Sequence, residues 1–90
     1  MRKIRLSRDS EKFLLRIPSK HARQLAVKLQ QLREETEPND SQKLKNYAYM
    51  RVDSGEYRII YEAASDAIYV VLIGKRNDDE IYKKLKRKVS

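Results

Sequence analysis

The segment Glu56-Tyr57-Arg58-Ile59-Ile60-Tyr61-Glu62 limits most strongly what this chain can fold into. It is apolar and aromatic, with one arginine in its middle. Arg51-Val52-Asp53-Ser54-Gly55 precedes it and reads as a strand running into a turn. Ala63-Ala64-Ser65-Asp66 follows as a second turn, and Ala67 to Ile73 then carries no charge at all. Strands joined by turns this short pair with their neighbours in an antiparallel meander. A cation in the middle strand of a small sheet needs either an ion-pair partner, with Glu56 and Glu62 at hand, or a ligand. Arg58 is therefore the first candidate functional residue.

The remaining sequence has to cover that meander. With 90 residues the chain is expected to be a single domain, 1–90, with one thin core. There is no cysteine and a single histidine, so thiolate or imidazole metal sites are not expected and no cofactor is implied. Twenty-one Lys and Arg against 13 Asp and Glu give a net charge of +8, which favours a polyanionic partner: RNA, DNA or an acidic protein. No apolar run approaches the ~20 residues that span a bilayer, and the basic N-terminus is not followed by a signal-like apolar block. These features predict a soluble cytoplasmic protein with no membrane partner.

In chain order, Met1 to Leu6 alternates Ile4 and Leu6 with Lys3 and Arg5, the pattern of a half-exposed edge strand. Ser7 is a helix cap, followed by a helix over about Arg8 to Arg16 with Phe13, Leu14 and Ile17 as its apolar positions. Pro18 breaks it and opens a second helix to about Glu35, striped by Ala22, Leu25, Ala26, Leu29 and Leu32. Glu37 to Ser41 reads as a loop, and Gln42 to Tyr47 as a polar lead-in to the sheet. Alternation then puts Ala48, Met50 and Val52 toward the helices and Tyr49, Arg51 and Asp53 on the open face, which Arg58 shares. Asn77 or Asp78 caps a terminal helix from Asp79 to about Lys88, with acids first and cations last, as the helix dipole prefers. Ile81 and Leu85 supply its apolar contacts. The predicted fold is α+β, in the order β-α-α-β-β-β-α: an antiparallel sheet packed by a helical hairpin, with a short C-terminal helix.

That order, together with Tyr57-Arg58-Ile59-Ile60-Tyr61-Glu62, Gly74-Lys75-Arg76 and Glu80-Ile81-Tyr82, resembles the RelE/ParE toxin superfamily of type II toxin–antitoxin systems. The resemblance spans nearly the whole chain. It implies the toxin of such a system: either a ribosome-dependent mRNA endonuclease, as in the RelE branch, or an inhibitor of DNA gyrase, as in the ParE branch. An inactive antitoxin-binding homologue is a third possibility. Under the nuclease reading the implied catalytic set is Arg58, Arg76, Tyr82 and Arg51. Arg58 matches the family's middle-strand arginine, Arg76 the arginine of its GKR segment and Tyr82 its C-terminal tyrosine. Arg51 matches one of two lysines in the preceding strand, and Tyr49 stands where the other would be. Lys43, Lys45, Tyr49 and Lys75 are the implied RNA contacts. The implied reaction needs no metal: the 2′-hydroxyl attacks the adjacent phosphate, leaving a 2′,3′-cyclic phosphate and a 5′-hydroxyl. Arg58 and Arg76 would stabilise the negative charge that develops on the phosphoryl oxygens. Tyr82 beside them would act as base or as an orienting group. The implied partners are a cognate antitoxin, the ribosome and mRNA, with DNA reached only through the antitoxin complex.

Overall fold

The computed structural model describes residues 2–89, so Met1, the first residue of the expected opening strand, lies outside it together with Ser90. The elements are β1 (Lys3–Leu6), α1 (Arg8–Arg16), α2 (Ser19–Glu34), β2 (Gln42–Lys43), β3 (Met50–Ser54), β4 (Tyr57–Ala63), β5 (Ala67–Lys75) and α3 (Glu80–Val89). The five-stranded sheet has the order β1-β5-β4-β3-β2. The α+β class and the helix–hairpin–meander order stand as expected. Two details differ. The polar lead-in contains a short strand of its own, β2, which pairs with β3. The sheet is antiparallel only from β2 to β5, because β1 lies parallel to β5. β1 closes the free edge of β5, and its direction delivers the chain straight into α1. The Ser7 N–H continues the ladder to the Val70 carbonyl, and the Ser7 hydroxyl accepts from the Ser10 N–H to cap the helix.

The hairpin α1–α2 covers one face. Leu25, Leu29 and Leu32 of α2 are buried against Val52, Tyr57, Ile59, Tyr61, Ile68, Val70 and Ile73 of the sheet, with Phe13 and Leu14 of α1 and the C-cap Ile17 packed at the side. Ala26, placed on the α2 stripe by spacing, is exposed instead. The face expected to be open is covered: α3 lies across it and buries Ile81 and Leu85 against Ile60 and Leu72. An apolar face on both sides of β5 is possible because of a register shift. Ile60 pairs with Leu72 but Tyr61 with Val70, so Val71 is an extra residue on β5. The bulge reverses the alternation. Ile68 and Val70 face the hairpin before it, and Leu72 faces α3 after it. The Ser7 hydroxyl donates to the Val71 carbonyl at 2.7 Å, supplying a partner for an acceptor at the irregularity.

Two glycines are dictated by geometry. Gly55 has φ +59° and forms, with Glu56, the two-residue link between β3 and β4, where Ser54 pairs with Tyr57. Gly74 sits beneath α3, and a Cβ there would lie 3.1 Å from the Ile81 Cβ. Any side chain at 74 would push α3 outward. No helix among the described residues is long and apolar enough to cross a membrane.

A two-arginine candidate active site under the terminal helix

The two-residue link fixes the site. With Ser54 opposite Tyr57, the next pair outward is Asp53 opposite Arg58. Both side chains emerge on the α3 face, where Arg58 Nε donates to Asp53 Oδ1 at 2.7 Å and Nη2 to Oδ2 at 3.3 Å. The remaining terminal nitrogen, Nη1, donates to the Tyr82 hydroxyl oxygen at 2.8 Å. The guanidinium carbon also stands 5.8 Å from the centre of the tyrosine ring.

Arg51 repeats this arrangement one strand over. It pairs across the ladder with Gln42 of β2, whose side-chain oxygen accepts from Arg51 Nε at 3.1 Å and from Arg51 Nη2. Arg51 Nη1 then donates to the same Tyr82 oxygen at 2.7 Å. Two guanidinium groups thus converge on one phenol oxygen, delivered from above by the first turn of α3.

Each sequence-derived candidate has a definite place. Arg51, Arg58 and Tyr82 form the cluster. Arg76 lies exposed in the β5–α3 turn, and its N–H donates to the Glu56 carbonyl at 3.0 Å, which ties that turn to the β3–β4 link. Its side chain is close enough to help lower the pKa of Asp53, but it does not touch Tyr82, whose arginine neighbours are Arg51 and Arg58. Tyr49 lies two residues before Arg51 and stacks on Tyr47, with ring centres 6.0 Å apart and planes 10° from parallel. Both rings pack on the α3 cluster, so their faces serve each other first. Lys45 is exposed in the loop after β2. Lys43 pairs with Met50, whose side chain faces the hairpin. Lys75 pairs with Tyr57, another hairpin-facing residue, and lines a cavity with Phe13. These two lysines are thereby held away from the arginine cluster. Tyr69 of β5 is exposed to 39%. His21 is half-buried and bonded through Nδ1 to the Tyr57 hydroxyl at 2.7 Å, far from this cluster in the fold.

The ion-pair partner of Arg58 is Asp53, not Glu56 or Glu62. Glu56 occupies the turn and approaches His21 at 3.8 Å. Counting outward from a two-residue link identifies Asp53 directly, so a signal for it was present in the sequence. Gln42 carried none, because β2 is two residues long.

The electrostatics follow from the contacts. The Arg58 hydrogen bonds hold the Asp53 carboxyl below its ordinary range, against a burial effect that opposes them, and Arg76 and Arg51 add to the lowering. Reciprocally, Asp53 raises Arg58 above its already high value. At the far end of α3, Lys88 donates to Asp9 Oδ2 at 3.1 Å and lowers that carboxyl as well. Because both folded pKa values are depressed, the stability they contribute is complete above the unfolded value of ~3.9 and is lost as pH falls through the folded values. Denaturant midpoints should therefore fall below about pH 4. The double variant D9N/D53N should show a shallower acid limb. An acid limb of unchanged slope in that variant would remove both pairs from the account.

Among the described residues no group of three or more His, Cys, Asp or Glu side chains is placed to hold a metal ion.

Comparison with known proteins bears on the family. The model of the ParE toxin of type II toxin–antitoxin systems, parDE, matches residues 4–80. No curated protein matches the chain. Among solved structures, a mutant of the Escherichia coli toxin RelE in the free state is 19% identical over 99% of this chain and 98% of its own, with a TM-score of 0.77. The isolated E. coli RelE toxin covers 100% of both chains at 16% identity and a TM-score of 0.73. In the archaeal RelE–RelB complex from Pyrococcus horikoshii OT3, the matching chain is 23% identical over 83% of this chain and 94% of its own, with a TM-score of 0.73. At these identities the structures speak for the fold. The family model, which takes in all of the sheet but Lys3, includes Arg51, Arg58 and Arg76 and stops two residues before Tyr82, speaks for descent: this chain belongs to the ParE toxin family, within the RelE/ParE toxins of type II toxin–antitoxin systems.

Proposed function

We propose that this toxin is a ribosome-dependent mRNA endonuclease that works without a metal ion. The observation that carries the reading is the convergence of Arg51 and Arg58 on one oxygen, at 2.7 and 2.8 Å. These are the distances at which charge-assisted donors grip a phosphoryl oxygen, and the donors that Tyr82 leaves free on both arginines can hold a phosphodiester in the same way. In-line attack by the 2′-hydroxyl places extra negative charge on the non-bridging oxygens. Fixed guanidinium groups stabilise that charge with no reorganisation at the moment of reaction. Arg76, exposed at the rim, adds the third cation. Tyr82 orients the pair and is the residue best placed to exchange a proton with the 2′-hydroxyl. Arg51 is a poor base for this step, since an arginine does not give up its proton. Lys45 and Tyr49 serve as RNA contacts. The ribosome contributes proximity by holding the message in an attack geometry. The antitoxin is a partner whose segments cover the basic α3 face, in keeping with the RelE–RelB complexes that share the fold.

The second reading, inhibition of DNA gyrase without cleavage, is favoured by the family model itself. Primer extension on a translated message, beside the same RNA free of ribosomes, separates the two. Cuts within codons only on the translated RNA are expected. Intact RNA in both samples, with gyrase retained by the immobilised toxin, would replace the nuclease with the gyrase inhibitor.

A further inference from the structure

We infer that Asp53, with Gln42 as its counterpart, is a positioning residue that aims the arginine pair; this rests on the anion-gripping role proposed for Arg51 and Arg58. A guanidinium carries five N–H donors in a rigid fork. Asp53 takes two from Arg58, at Nε and Nη2, and Tyr82 takes one at Nη1. Gln42 takes the same two from Arg51, and Tyr82 again takes one at Nη1. What is left on each arginine is the same pair of donors, one on each terminal nitrogen. The acceptors on β2 and β3 therefore occupy the Nε side of each fork and leave one donor on each terminal nitrogen for a ligand.

Without such acceptors an arginine is a flexible side chain that pays rotamer entropy each time it grips a phosphate. Asp53 is suited to hold Arg58 because it comes from the directly opposed ladder position and not from a loop. Its charge also matters. It bonds Arg58, feels the charges of Arg76 and Arg51, and offsets one of the like charges gathered around the site. The site keeps a net positive charge and a single orientation.

The test uses the full-length toxin and reads the arginine itself. The Nε–H resonance of Arg58, assigned by its loss in R58K, should be resolved and slow to exchange in the wild type. In D53A its exchange should quicken at least about tenfold, and in the isosteric D53N by less, since one acceptor oxygen remains. With translated mRNA as substrate, D53A should lower kcat about tenfold or more with KM within about twofold, the mark of lost orientation. Should the wild type fail to cut any message, the endonuclease reading falls while the exchange measurement still decides on Asp53. An Arg58 resonance as slow in D53A as in the wild type, or a D53A toxin with higher kcat, would overturn the inference. The latter would make Asp53 a competitor for the arginine.

Discussion

Arg58→Ala should lose at least about 100-fold in cleavage of translated mRNA and should no longer arrest growth, while remaining folded. The magnitude is that of removing one fixed donor from a site where negative charge develops, and Arg58 supplies two free donors. The variant should fold because Arg58 is not part of either apolar cluster and because Asp53, the partner it leaves behind, is 37% exposed and can be rehydrated, although Arg58 itself is only 16% exposed. Losing such a half-sheltered pair costs about 1–3 kcal/mol, less than the stability of a typical domain. The loss of activity and the loss of stability should thus separate cleanly. Arg58→Lys is the informative companion. It keeps the charge but replaces the fork with a point donor that cannot serve Asp53, Tyr82 and a phosphate together. Cleavage by the lysine variant should stay far below wild type. Full activity in the lysine variant would mean that charge alone suffices, and full toxicity in the alanine variant would end the assignment of Arg58 to catalysis.

Much of this arrangement was legible in the chain because short turns leave little freedom. The Gly55-Glu56 link fixes the register of β3 and β4, and strict alternation then puts Arg51 and Arg58 on one face and Val52, Tyr57 and Ile59 on the other. Ser7 and Pro18 mark the hairpin, and Ile81 with Leu85 marks the apolar side of α3. What was not legible depended on contacts between distant segments. The direction of β1 follows from its pairing with β5, more than sixty residues away. The bulge at Val71 hides inside an uncharged run where period-two alternation has no polar residue to report it. Coverage of the presumed open face by α3 rests on Gly74, whose missing side chain lets Ile81 approach. The family resemblance implied Tyr82 beside Arg58 and Arg76, and the structure bonds it to Arg58 and Arg51. In the helix, its position one residue past the Ile81–Leu85 stripe carries its hydroxyl toward β3 and Arg51 instead.

That dependence on α3 sets up the second large effect. α3 has ten residues, fewer than the ~12–15 at which an isolated helix becomes even marginal in water. Docking must therefore hold it, through Ile81, Leu85, the Lys88–Asp9 pair and the Tyr82 bonds. Leu85 is 1% exposed, and truncating a buried leucine to alanine costs about 2–5 kcal/mol. In Leu85→Ala that cost should fall mainly on α3, because the hairpin core around Leu25, Leu29 and Leu32 is a separate cluster on the other face. Amide exchange across α3 should accelerate roughly 30-fold for each 2 kcal/mol lost, while α2 amides change little. Cleavage should fall with it, since an undocked α3 takes Tyr82 away from both arginines. Leu25→Ala makes the contrasting case, because its loss is global and should quicken exchange in α2 and the sheet together. If Leu85→Ala instead accelerated α2 and α3 equally, the two faces would form one cooperative unit, and α3 could not release the arginines without unfolding the toxin.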